Sequence, residues 1–157
     1  MIPPRRMRPA ALCSVAFALA ASGCLGGSAS SSSRPELTRA QYVTAASAVC
    51  RRFQQQITAL GTATDLAALA DQGAKAVALE RAEVRALRRL APPSQDAAAI
   101  DGMLKAVESA STAGDALVAA ARSHDTAAVA AAAATLRDQL ATANRLAKPF
   151  GLDACTR

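Results

Sequence analysis

The stretch TRAQYVTAASAVCRRFQQQITALG, Thr38 to Gly61, decides the fold. Thr38 followed three residues later by Gln41 is a capping-box pattern, in which each side chain can satisfy the other's backbone N–H at a helix start. From there Tyr42, Ala46, Val49, Phe53, Ile57 and Leu60 step by threes and fours, and Gly61 then ends the run. That spacing puts these side chains on one stripe of a helix and predicts that the stripe faces a core.

A single amphipathic helix cannot bury its own stripe, so the rest of the chain has to supply partners. A second helical pattern, about Asp65 to Leu90, carries Leu66, Leu69, Ala70, Val77, Val84 and Leu87. It ends at Ala91-Pro92-Pro93, where a proline disfavours helix in the residue before it. Asp71-Gln72-Gly73 is a point at which this helix could kink or divide. A third, about Ser94 to Arg122, starts at a serine cap and shows Ile100, Met103, Leu104, Val107, Leu117 and Val118, with Gly102 and Gly114 as places for close helix approach. After the polar turn Ser123-His124-Asp125, with Asp125 as N-cap, a fourth helix carries Val129, Ala133, Leu136, Leu140, Ala143 and Leu146 up to Pro149. Short connections between such helices favour antiparallel neighbours. The expected fold is therefore all-α: an up-down-up-down four-helix bundle over residues 37–155, with residues 156–157 as a short tail.

Upstream of the bundle the chemistry changes. Arg5, Arg6 and Arg8 stand without any acid before an uncharged run, Ala10 to Gly23, rich in Ala, Leu, Val and Phe, which is the layout of an export signal. Two cleavage points compete. Ala18-Leu19-Ala20 suits an ordinary small-residue cut, whereas Ala21-Ser22-Gly23-Cys24 resembles a lipobox. Cys13 is lost either way, so the ordinary cut leaves Cys24, Cys50 and Cys155, an odd number of thiols in an oxidising compartment. Modification of Cys24 removes the odd one, and the reading adopted is a signal over residues 1–23 with lipid attached at Cys24. Leu25 to Glu36 is a Gly/Ser-rich stretch with little to bury, expected to be a disordered tether of about 20 Å. Cys50 falls in the first helix and Cys155 just past the fourth, where an antiparallel bundle can bring them together, so they are expected to form a disulfide; two unpaired buried thiols are the other possibility.

The order of lipobox, Ser-rich tether, a Tyr42, Ala46, Cys50 helix, a Leu-Ala-Pro-Pro break and a Gly-Leu-x-x-Cys ending is similar to small Ala-rich helical lipoproteins of high-GC Gram-positive bacteria. The resemblance implies a thioether-linked diacylglycerol on Cys24 and hence a membrane anchor on the extracytoplasmic face. It brings no activity and no binding residue with it.

Composition narrows what such a domain does. Three of the 18 basic residues precede Cys24 and none of the 12 acids does, so the formal charge of +6 falls to +3 beyond the signal. Nucleic-acid binders add clustered charge and stacking aromatics, but Trp is absent and Tyr42 is the single tyrosine, so no nucleic-acid partner is expected. Ser123-His124-Asp125 holds the three residue types of a catalytic triad, yet neighbours in one turn cannot line up in the required hydrogen-bonded chain, and a helix junction is the expected role. His124 is the only histidine, and Cys50 and Cys155 are spoken for, so no metal site is expected. Met103 and His124 are poor grounds for haem, and no cofactor is expected. Met103 and Leu104 are read as core rather than as the floor of a ligand pocket. Asp96, Asp101 and Glu108 are read as lying on polar faces without partners.

Arg81, Arg85, Arg88 and Arg89 recur on one side of the second helix and are the candidate surface for an anionic partner, although Glu80 and Glu83 break the run into what reads as a mixed, solvated face. The expected function is a non-enzymatic helical domain, held at the membrane, that contacts another envelope protein or an anionic wall polymer. The alternative is a lipoprotein that binds or senses a small molecule or metal ion at the cell surface.

Overall fold

The computed structural model describes residues 35–157. Cys24, the signal over 1–23 and nearly all of the 24–36 tether lie outside the described residues. Four helices follow in order: α1 (Arg39–Thr58), α2 (Leu66–Arg88), α3 (Ala97–Arg122) and α4 (Thr126–Ala147), then 3-10 turns at Lys148–Phe150 and Asp153–Cys155. The described residues contain no strand.

Three of the four helix starts are dictated locally. Thr38 accepts from the Gln41 N–H while Gln41 returns the bond to the Thr38 N–H, completing the capping box at 3.3 and 2.9 Å. Asp65 accepts from the Ala68 N–H at 2.7 Å and Asp125 from the Ala128 N–H at 2.9 Å. The start of α3 differs from expectation. Ser94 does not cap it; Ser94 to Asp96 form a turn, and Asp96, the residue before the helix, makes no side-chain cap. The Ser94 N–H is taken instead by the Glu36 carboxylate, and the Leu37 N–H bonds Ala91 O at 3.0 Å. Glu36, read as the last residue of the tether, is thus tied to the α2–α3 connection.

Helix α2 runs unbroken through Gly73. That glycine serves packing rather than bending: a Cβ there would meet Val118 Cγ2 at 2.9 Å, and one at Gly114 would meet Val77 Cγ2 at 2.7 Å. Each glycine of the α2–α3 interface receives a valine of the other helix. Gly102, expected to play the same part, has nothing within 4 Å of the position its Cβ would take.

The broad interfaces are α3 with α4 and α2 with α3, while α1 packs on α2 and on the Asp153–Cys155 turn. The core gathers Tyr42, Ala46 and Cys50 of α1, Val84 and Leu87 of α2, Ile100, Met103 and Leu104 of α3, and Ala147 and Leu152. Met103 and Leu104 are core residues, as expected. The apolar stripe of α4 is covered less than expected: only Ala143 and Ala147 are buried, Val129, Leu136 and Leu140 are half-buried, and Leu146 is exposed. Its main neighbour is one helix, α3, so the stripe is shielded from one side. The segment after α4 covers α1 in its place, with Leu152 fully buried.

Candidate functional site

The sequence singles out Cys24, the Cys50 and Cys155 pair, and four arginines of α2. Cys50 and Cys155 form a disulfide, S–S 2.07 Å, with Cα atoms 5.0 Å apart. Around it the chain after α4 is fastened to α1 by further bonds: Gln54 Nε2 donates to Thr156 O at 2.9 Å, and the Arg39 guanidinium donates to Pro149 O at 2.7 Å and stacks 5.4 Å from the Phe150 ring centre.

The arginines do not act as one group. Arg81 pairs with Asp115 of α3, and Arg88 pairs with Asp101 and Glu108, both at 3.0 Å. Asp101, Glu108 and Asp115 recur every seven residues, as Arg81 and Arg88 do, so the two rows meet along the α2–α3 interface. Asp101 also takes Lys105 at 2.8 Å. Lys105 and Arg88 hold the Asp101 carboxyl below its usual range, and the hydrogen bonds to Asp101 and Glu108 raise the Arg88 guanidinium. The reading of Asp101 and Glu108 as unpartnered is therefore corrected, and Asp96 lies 3.9 Å from Arg39. Only Arg85 and Arg89 of the four are exposed with no carboxylate in ion-pair range among the described residues.

The reading of Glu80 and Glu83 as part of a solvated face is also corrected. Both are buried, and both are bound by Arg157, whose guanidinium bonds Glu80 Oε1 at 2.8 Å and also Glu83. Ser111 Oγ of α3 donates to Glu80 Oε2 at 3.1 Å, and the Arg157 N–H donates to Asn144 Oδ1 of α4 at 3.0 Å. With Gln54 holding Thr156, side chains of α1, α2 and α4 bond the last two residues, and Ser111 of α3 joins them through Glu80. The cause is periodicity. Val77, Glu80, Val84 and Leu87 are spaced by three and four, so position 80 lies on the inward stripe, and position 83 lies one turn before Leu87. Burial pushes the Glu83 carboxyl up to about 7; Arg157 draws it back and the neighbouring Glu80 adds to the rise. Two carboxylates and one guanidinium leave one negative charge unbalanced, so one carboxyl keeps its proton well above the ordinary range. The cluster has the satisfied, interlocked character of a structural device rather than of a reactive site.

The turn Ser123-His124-Asp125 is a helix junction. Ser123 donates to Ala120 O at 3.0 Å, His124 takes the left-handed conformation (φ 57°) at the end of α3, and Asp125 caps α4. Among the described residues no three His, Cys, Asp or Glu side chains gather as a metal site, and no described helix is long and apolar enough to cross a membrane.

Among several surface clefts, one of about 180 Å³ opens where α1 begins, α2 ends and α3 begins. Its walls combine apolar side chains, among them Leu87, Leu90, Ile100 and Leu104, with Tyr42 and the charged Arg88 and Asp101. Tyr42 is 1% exposed, its hydroxyl has no hydrogen-bond partner, and burial pushes the phenol up to about 12. The chain matches no known family model, and no curated protein or solved structure matches it.

Proposed function

We propose that this chain is an extracytoplasmic lipoprotein, anchored through lipid on Cys24, whose helical domain works without catalysis by contacting another component of the cell envelope. The observation that carries the reading is the succession of a basic start, an uncharged run, Ala21-Ser22-Gly23-Cys24 and a Ser-rich tether ahead of a packed domain. The Cys50–Cys155 disulfide supports it, because such bonds persist outside the reducing cytoplasm. With short connections joining helices that each pack on the next, the bundle runs up-down-up-down, placing the tether's attachment at Leu37 and the α2–α3 connection at one end. Arg85 and Arg89 are the part of the basic surface left for an anionic partner, since Arg81 and Arg88 are neutralised by α3.

Intact-mass measurement of the mature protein tests the anchor: a chain starting at Cys24 and carrying a diacylglycerol is expected, and Cys24→Ser should move the protein to the soluble fraction. A mature chain starting at Ala21 with a free thiol would overturn it. For the contact role, photo-crosslinkers placed at Arg85 and Arg89 should trap a partner in intact cells; labels that trap nothing under several growth conditions argue against that face.

A further inference from the structure

We infer that the end of the domain from which the chain leads back toward Cys24 sits on an anionic phospholipid surface, with Arg85, Arg89, Arg145 and Lys148 at the headgroups and Leu146 entering between them. The inference deepens the contact role proposed above: it rests on the same exposed arginines and names the partner they meet.

Bonds on the page define this end. The Leu37 N–H meets Ala91 O at 3.0 Å, and Arg39 donates to Pro149 O at 2.7 Å and lies 3.9 Å from Asp96. The start of α1, the α2–α3 connection and the segment after α4 therefore lie together. Arg89 closes α2 and Lys148 closes α4 there, with Arg85 and Arg145 about one turn, roughly 5 Å, behind them. All four are exposed, and none has a carboxylate in ion-pair range among the described residues. The other bases of this end are balanced: Arg39 faces Asp96, and Arg88 with Lys105 offsets Asp101 and Glu108. Glu36 and Asp153 are the acids left against the four, so the end is basic. The opposite end is not. Its connections, residues 59–65 and 123–125, hold Asp65 and Asp125 against Arg122 at the end of α3.

Charge alone suits any anionic polymer, and Leu146 narrows the choice. Among the described residues it is the one large apolar side chain that is exposed, at 38%, and it stands between Arg145 and Lys148. A hydrated polymer gives such a side chain nothing to enter. A bilayer interface takes both kinds of group, cations at the headgroups and the apolar side chain just below them. Attachment favours the same surface over a protein partner: Leu37 enters at this end, so a tether held at a membrane presents this end to it and not the opposite one.

A photo-crosslinking amino acid placed at Leu146, or at Thr62 of the opposite end, tests the inference in the full chain. The chain is incubated with vesicles of phosphatidylcholine alone or in equal mixture with phosphatidylglycerol. Crosslinked lipid is counted per protein molecule recovered with the vesicles, so the outcome does not depend on what brings the chain there, and a failure of the Cys24 anchor leaves it unchanged. On the mixed vesicles position 146 should capture about tenfold more lipid than position 62. Replacing Arg85, Arg89, Arg145 and Lys148 together by Gln removes about fivefold in binding per charge and should bring position 146 down to the level of position 62. Phosphatidylcholine alone should do the same, as should salt at about 1 M, where charges act over only about 3 Å. The inference is overturned if position 62 captures as much lipid as position 146, if phosphatidylcholine alone gives the yield of the mixture, or if the fourfold Gln variant captures lipid as the unsubstituted chain does.

Discussion

Gly102 and Gly114 share α3 and share the cost that glycine imposes on a helix, yet they should respond oppositely to an added methyl group. At Gly102 the Cβ of alanine meets nothing within 4 Å, so Gly102→Ala should stabilise the fold by about 1 kcal/mol through helix propensity alone. At Gly114 the same methyl comes within 2.7 Å of Val77 Cγ2, a stiff β-branched side chain in the core. Overpacking of that kind costs about 1 to 3 kcal/mol, more than the propensity gain, so Gly114→Ala should be net destabilising. Urea unfolding midpoints separate the two. Val77→Ala combined with Gly114→Ala should cost less than the sum of the single changes, because the clash is then removed; strict additivity would show that Val77 is not what Gly114 accommodates.

At the scale of elements, α1 is the helix whose attachment depends most on chemistry beyond apolar packing, since the segment after α4 rather than a broad helix face closes over it. The disulfide spans 105 residues, and in the chain-entropy model a loop of that length contributes about 4 to 5 kcal/mol. The Cys50→Ala, Cys155→Ala double variant should therefore unfold at much lower denaturant. Native-state hydrogen exchange should show the loss first in α1 and residues 148–157, with α3 retaining its protection longest. Uniform loss in all four helices would contradict the idea that α1 is strapped on. The sequence made much of this legible: Thr38 and Asp125 read as capping residues ahead of helical periods, Asp65 as the start of one, and Cys50 and Cys155 are the cysteines left once Cys13 and Cys24 are set aside. The start of α3 was hidden because Glu36, far upstream in sequence, satisfies the Ser94 N–H that a local cap would otherwise need. The interior position of Glu80 and Glu83 was hidden by their charge, although the spacing of Val77, Val84 and Leu87 already ran through them; their partner, Arg157, is remote in sequence. The cavity at Tyr42 was not legible at all, because it depends on how three helix ends meet.

For the molecule as a whole, the Glu80, Glu83 and Arg157 cluster ties α2 to α3 and α4 and should make stability fall as pH rises through neutrality. Glu83 sits at about 7 in the folded chain against an ordinary value near 4.5, so the folded state holds its proton more tightly than the unfolded state does. The stabilisation from that proton is complete below about pH 4.5 and is lost as pH climbs through 7. Glu83→Gln keeps a neutral, hydrogen-bonding group at the site and removes the titration. Relative to this variant, the unsubstituted chain should lose on the order of 1 to 3 kcal/mol between pH 5 and 8, read as diverging urea midpoints. Arg157→Met should destabilise by about 3 kcal/mol at pH 8, because it leaves two buried carboxylates facing each other with Ser111 as the remaining donor. The same substitution should cost much less at pH 5, where Glu83 is protonated in any case. A penalty for Arg157→Met that does not change with pH would mean that Arg157 contributes packing rather than charge, and the account of the cluster as a proton-dependent clasp would fail with it.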